Sequence, residues 1–277
     1  MKKAILFMLF STLSFTGMNS LVKHLVHLPT FEIVFFRSIG STILATWLLL
    51  SKGIPLLGNR RKLLAIRAIL GLAAMSLFFM SLKELPVGTA VSLRYLSPII
   101  ASILAIFLLK ESLRAVQLLL FAIAFSGVLI LKGFDDNLSI IGLAFVLSAA
   151  IFSGAVYIVI RKIGKSEHPL VIVNYFMVFA TLIGLLLAIP VWVWPKGIEW
   201  VILLSLGIFG FFGQLFMTKA FQIARTNQVA PFKYLEVVFT VLIGITWFND
   251  FYGFWSFVGL AMIVISLVLN SFVKAKA

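Results

Sequence analysis

The stretch Gly88-Thr89-Ala90-Val91-Ser92-Leu93-Arg94-Tyr95-Leu96-Ser97-Pro98 has a relative 139 residues further on: Asn227-Gln228-Val229-Ala230-Pro231-Phe232-Lys233-Tyr234-Leu235-Glu236-Val237. Residues 88–131 lie on 227–270 without a gap, and Arg94-Tyr95-Leu96 falls on Lys233-Tyr234-Leu235. Apolar runs of roughly twenty residues surround both copies, the length a helix needs to cross hydrocarbon. They are read at about 4–22, 31–50, 63–82, 87–109, 114–131, 138–160, 170–192, 198–220, 228–248 and 252–272. Five spans per copy is an odd number, so the second copy enters the bilayer from the opposite side. Inverted repeats of this kind build many secondary transporters, with the substrate site near midplane where the repeats meet. The expected architecture is an all-α integral membrane protein of ten transmembrane helices in two inverted five-helix repeats, 1–137 and 138–277.

Composition points the same way. The chain is 62% hydrophobic and 12% charged, with 28 Phe and no Cys. A soluble chain of 277 residues has no use for that much apolar surface. Barrel strands would alternate over about ten residues, whereas these runs are apolar on all sides. The absence of Cys excludes disulfides and thiolate chemistry.

A net charge of +14 suggests a nucleic-acid partner until its distribution is examined. Of 23 basic residues, fourteen fall in segments that are cytoplasmic if the N-terminus is: Lys2, Lys3, Lys52, Arg60, Arg61, Lys62, Lys110, Arg114, Arg161, Lys162, Lys165, Arg225, Lys274 and Lys276. Only Lys23, Lys83, Lys132 and Lys196 fall outside. This is the positive-inside bias that sets topology. It places both termini in the cytoplasm and assigns the basic excess to anionic lipid rather than nucleic acid. Lys2-Lys3 and the run after it read as a retained first helix, since no convincing small-residue cleavage site follows. Trp192, Trp194, Trp200, Trp247 and Trp255 gather at outer ends and Trp47 at an inner one, as interfacial anchors do.

Five basic residues remain inside spans, Arg37, Arg67, Arg94, Lys219 and Lys233, and Glu236 is the one carboxylate placed well within the membrane. Arg67 and Lys219 sit near cytoplasmic span ends and are expected to snorkel. Arg94 and Lys233 lie deeper, Arg94 by about 10 Å. Residues three and four apart share a helix face. Lys233, Glu236, Thr240 and Gly244 therefore form one stripe, matched through the repeat by Arg94, Ser97, Ala101 and Ala105. These stripes either line a pathway or fix helix packing. Asn19, Asn174 and Gln214 are candidate substrate contacts or interhelical glue. Tyr95 and Tyr234 are symmetry mates that either stack on a substrate ring or fill the core. Pro98 and Pro231 predict a bend beside the stripes.

Six motifs stand in order along the chain: Phe31-Glu32-Ile33-Val34-Phe35-Phe36-Arg37, Gly88-Thr89-Ala90, Pro98, Lys110-Glu111, Ser126-Gly127-Val128 and Ala230-Pro231-Phe232-Lys233-Tyr234-Leu235-Glu236. In these the chain resembles the ten-helix EamA-type proteins of the drug/metabolite transporter superfamily. The last segment is also similar to S-adenosylmethionine uptake carriers. Lys110-Glu111 is not mirrored in charge by Asn249-Asp250. The resemblance implies a central cavity lined by both repeats and a small organic metabolite as partner, moved across the cytoplasmic membrane.

The candidate substrate-binding set is Arg94, Tyr95, Ser97, Lys233, Tyr234, Glu236, Thr240, Asn19 and Gln214, with Glu236 the candidate proton-coupling group. No cofactor or metal is expected. His24, His27 and His168 lie at loops or span edges, so an enzyme is not expected either. The substrate class stays open among amino-acid-, nucleoside- and S-adenosylmethionine-like molecules. A passive facilitator and a non-transporting structural membrane protein are the alternatives. Ten spans suffice for a monomeric pathway, though the sequence does not fix the oligomeric state.

Overall fold

A computed structural model describes residues 1–25, 27–85, 87–111, 114–132, 139–247 and 254–273. It is built of helices: α1 Lys2–Val22, α2 Thr30–Ser51, α3 Arg61–Glu84, α4 Val87–Arg94, α5 Ser97–Leu109, α6 Ala115–Lys132, α7 Ile140–Ile163, α8 Pro169–Ala188, α9 Glu199–Ile223, α10 Thr226–Val229, α11 Leu235–Trp247 and α12 Phe254–Phe272. α4 and α5 together make the fourth span. α10, a 3-10 turn over Ala230–Tyr234 and α11 make the ninth. The protein thus has ten transmembrane spans in two inverted five-span repeats. Asn249, Asp250, Lys274, Lys276 and the expected repeat boundary at 137/138 lie outside the described residues.

The repeat extends well beyond the segment that shows it in sequence. Lys2 and Ile140, Thr30 and Pro169, Arg61 and Glu199, Val87 and Thr226, Ser97 and Leu235, and Ala115 and Phe254 open matching helices, each pair 138 or 139 residues apart. The packing obeys the same exchange. α3 packs on α7, and its mate α9 packs on α1. α2 packs on α9, and its mate α8 packs on α3. Two pairs are their own mates, α2 with α8 and α6 with α12. On the first of these seams Thr42 Oγ1 meets Thr181 Oγ1 at 3.1 Å, two residues 139 apart. Such a contact marks the local twofold axis.

Local chemistry sets the helix ends. Ser139 Oγ accepts from Gly142 N at the start of α7, one of the orphan donors every helix start exposes. His168 Nδ1 accepts from Leu170 N at the start of α8, and Pro169 follows at the first helical position, where a missing N–H costs nothing. The outer surface is an apolar belt: Ile43, Leu50, Phe107, Leu182 and Leu186 are all well exposed. Polar groups turn inward. Arg37, Arg67, Lys233, Glu236, Asn174 and Gln214 are all buried. That inside-out arrangement suits a chain whose solvent is lipid.

Trp194, Trp255 and Trp47 are exposed, in keeping with interfacial anchors. Trp192 differs: its ring packs on Phe35 and Phe36 as part of an aromatic cluster.

Candidate functional site

The fourth and ninth spans are both broken, and at symmetric places. α4 ends at Arg94 and α5 begins at Ser97, with Pro98 in its first turn. In the mate, α11 begins at Leu235 directly after the 3-10 turn. Each break leaves polar helix ends inside the protein. Glu236 stands in the first turn of α11, where the positive end of the helix dipole favours a carboxylate. Arg94 stands in the last turn of α4, where the negative end favours a cation. Tyr95 and Tyr234 flank the two breaks, and their rings pack at 5.8 Å, a second contact between residues 139 apart.

Glu236 is fully buried and its two oxygens take three donors. Arg94 Nη2 reaches Oε1 at 2.7 Å, Asn19 Nδ2 of α1 reaches the same oxygen at 2.8 Å, and Lys233 Nζ reaches Oε2 at 2.7 Å. Aromatic faces hold both cations from behind. Arg94 lies over Phe78 at 3.9 Å and Lys233 over Phe15 at 4.4 Å. One carboxylate therefore ties together α1, α4, α11 and the turn that precedes α11.

Beside this cluster lies a cavity of about 90 Å³, bordered by Arg94, Lys233, Tyr95, Ser97, Arg37 and Arg67 among others. Gln214 and Phe176 also line it. That volume is room for a few water molecules. It falls short of the several hundred Å³ of a typical small-molecule site.

Of the expected residues, Asn19, Arg94, Lys233 and Glu236 form one bonded cluster. Tyr95, Ser97 and Gln214 line the cavity. Tyr234 is buried behind Tyr95. Thr240 falls elsewhere: its Oγ1 donates to the Glu236 carbonyl of its own helix, and it does not border the cavity. Asn174 serves as glue, accepting from Thr46 across α2 and α8.

Two residues are more central than the sequence suggests. Arg67, expected at the interface, is fully buried in α3. It sits nearly two turns past the helix start at Arg61, too far for its side chain to run back to water. Its Nη2 donates to Gln214 Oε1 at 2.6 Å, and its guanidinium lies 4.1 Å above the Phe176 ring. Arg37 of α2 is buried with its Nη1 against the Met75 sulfur. The signal in the sequence is the count: five span cations face a single carboxylate placed deep in a span, Glu236, which cannot neutralise them all. Lys219 remains half-exposed over the rings of Phe7 and Phe216. Among the described residues no three His, Cys, Asp or Glu side chains gather as a metal site.

A polar, symmetry-related cavity between inverted repeats in an apolar shell defines a multi-pass membrane transporter. Residues 2–132 and 140–272 match the EamA-like transporter family, and the chain belongs to that family, within the drug/metabolite transporter superfamily. Membership makes it a transporter rather than an enzyme. It is 28% identical over 277 residues to the pseudopaline exporter of Pseudomonas aeruginosa, covering 99% of this chain and 98% of that one. It is 27% identical over 230 residues to the S-adenosylmethionine uptake transporter of Rickettsia prowazekii, covering 81% and 76%. It is 26% identical to solute carrier family 35 member G1 of Homo sapiens, covering 94% and 76%. A solved crystal structure superposes with a TM-score of 0.85 over 98% of this chain and 96% of the other, at 18% identity, a likeness of fold.

Proposed function

We propose that this protein is a secondary transporter that moves a small organic metabolite across the cytoplasmic (inner) membrane by alternating access. The repeats run 1–137 and 138–277, both termini face the cytoplasm, and the substrate is amino-acid-, nucleoside- or S-adenosylmethionine-like. The observation that carries this reading is the Arg94–Glu236–Lys233 cluster, at the facing breaks of two symmetry-related spans and beside a cavity too small for a metabolite. A buried ion cluster at a break is a bistable element: rearranging it changes which helices are tied together. Named transporters among the relatives, one matched over 98% of its length and two over 76%, support the class.

Glu236 is the coupling residue on this reading. Proton and cations compete for the same two oxygens, so protonation releases Arg94 or Lys233 and substrate binding re-forms the cluster. The test is flux in vesicles with an imposed pH gradient. Glu236→Gln keeps the shape and removes the charge. Flux should collapse while the protein stays folded and inserted. A Glu236→Gln protein that transports normally with unchanged pH response sinks the coupling role. Normal flux in the parent without any pH response leaves the passive facilitator.

A further inference from the structure

Charge in and around the cavity does not balance. Among the described residues that border it or bond into it, Arg37, Arg67, Arg94 and Lys233 are cationic and Glu236 alone is anionic. Glu236 is already shared between Arg94 and Lys233. Arg37 and Arg67 have no carboxylate at all within ion-pair distance among the described residues. Arginine cannot shed its charge in a protein. A buried cation without a counter-charge is among the costliest groups a fold can hold.

These two arginines also keep unpaired donors. Arg37 Nε and Arg67 Nε and Nη1 are buried without a hydrogen-bond acceptor among the described residues. Arg37 is 3% exposed and Arg67 0% exposed. More than nine in ten buried polar groups find a partner in folded proteins. What contacts the two guanidiniums do make are soft ones. Met75 sulfur touches Arg37, and the Phe176 face and the Gln214 amide hold Arg67. These contacts orient a guanidinium and leave its charge unanswered. Most of the rest of the wall is apolar or aromatic, with Phe78, Phe79 and Val156, and Ser97 and Ser153 add two neutral hydroxyls.

We propose that Arg37 and Arg67 are the anchors of the substrate, and that the substrate is a small organic polyanion carrying at least two carboxylates. The proposal rests on the transporter reading above and narrows it. Two charges are needed to answer two unpaired arginines on different helices, α2 and α3. Guanidinium donors match carboxylate oxygens in geometry as well as charge. The apolar wall accepts the carbon chain between them. Cationic molecules of the S-adenosylmethionine kind are disfavoured by the same cluster.

The experiment is a thermal-shift series on the purified full chain at fixed ionic strength, with vesicle flux in parallel. The probes are glutarate, tricarballylate, butyrate, inorganic phosphate, chloride, S-adenosylmethionine and leucine. Glutarate and tricarballylate should raise Tm with concentration, and butyrate should need at least about tenfold more. Arg37→Gln and Arg67→Gln should each weaken the dicarboxylate response by about tenfold to a hundredfold. Their ligand-free Tm should stay level or rise, because an unanswered buried cation has gone. A merely structural role predicts the opposite pattern: a lower ligand-free Tm and an intact response. Arg37→Lys and Arg67→Lys keep the charge and lose the fork. They cover the case in which a Gln variant does not fold, and should still bind glutarate about tenfold more weakly. A shift with phosphate or chloride alone reduces the cluster to an inorganic-anion site and overturns the proposal. Flux of leucine or S-adenosylmethionine without any polyanion response overturns it too, and leaves the transporter reading standing. Polyanion binding without flux in either direction keeps the anion site of Arg37 and Arg67 and removes the alternating-access reading.

Discussion

Glu236 has two cationic partners, whereas each of those cations has one anionic partner. The asymmetry makes a stability prediction. Glu236→Ala leaves Arg94 and Lys233 facing each other without a counter-charge, and should cost about 3–5 kcal/mol. Lys233→Ala leaves Glu236 still bonded to Arg94 and Asn19, and should cost less, about 1–3 kcal/mol. Tm or urea midpoints in one detergent check the order. Equal losses would mean that Arg94 and Asn19 do not hold the carboxylate in solution. Sequence shows part of this. The helical spacing of three places Lys233 and Glu236 on one face, and the repeat brings Arg94 to the matching place. The spacing says nothing of α1, so Asn19 reads only as an isolated amide. Arg67 misleads for a related reason. Distance from a span end looks like snorkelling range, and only the fold reveals Phe176 and Gln214 waiting beside it.

At the scale of elements, α2 and α9 cross with their backbones in contact. A Cβ on Gly207 would lie 2.7 Å from the Gly40 Cα, and a Cβ on Gly40 would lie 3.0 Å from the Gly207 Cα. Backbone cannot swing aside as a side chain can, so any larger residue forces the helices apart. Small residues at such crossings are how membrane helices approach without a hydrophobic driving force. Gly207→Val should destabilise by about 1–3 kcal/mol or more. Gly17→Ala should be far milder, because its Cβ would meet only the partly exposed Phe209 ring. Similar losses at both sites, read as Tm, would contradict the close crossing. The element breaks were half legible. Pro98 and Pro231 mark a bend, but the polar residues scattered from Thr89 to Ser102 do not show that α4 stops at Arg94. What fixes the stop is the pairing across the axis, where Arg94 and Glu236 bond and Tyr95 packs on Tyr234.

Over the whole molecule, the repeats do not sit side by side. α1 and α2 of the first repeat pack on α9 of the second, and α7 and α8 of the second pack on α3 of the first. α1 also touches α11, as its mate α7 touches α5. Two mixed bundles result, α1–α2–α9–α11 and α7–α8–α3–α5, exchanged by the twofold axis. On the proposed alternating-access reading, rocking between these bundles, rather than between 1–137 and 138–277, opens the cavity to each side in turn. Such a motion needs a joint, and the α2–α8 seam is the candidate, since it pairs an element with its own mate and carries Thr42 against Thr181 on the axis. Points on a rotation axis keep their separation while the bodies turn. The chain has no native Cys, so Thr42→Cys with Thr181→Cys creates a single pair. With side-chain oxygens 3.1 Å apart, that pair should oxidise readily to a disulfide. On the joint reading, oxidised and reduced protein should transport at similar rates in vesicles. Loss of flux on oxidation, restored by reductant, would show that α2 and α8 must separate during the cycle and that the joint lies elsewhere.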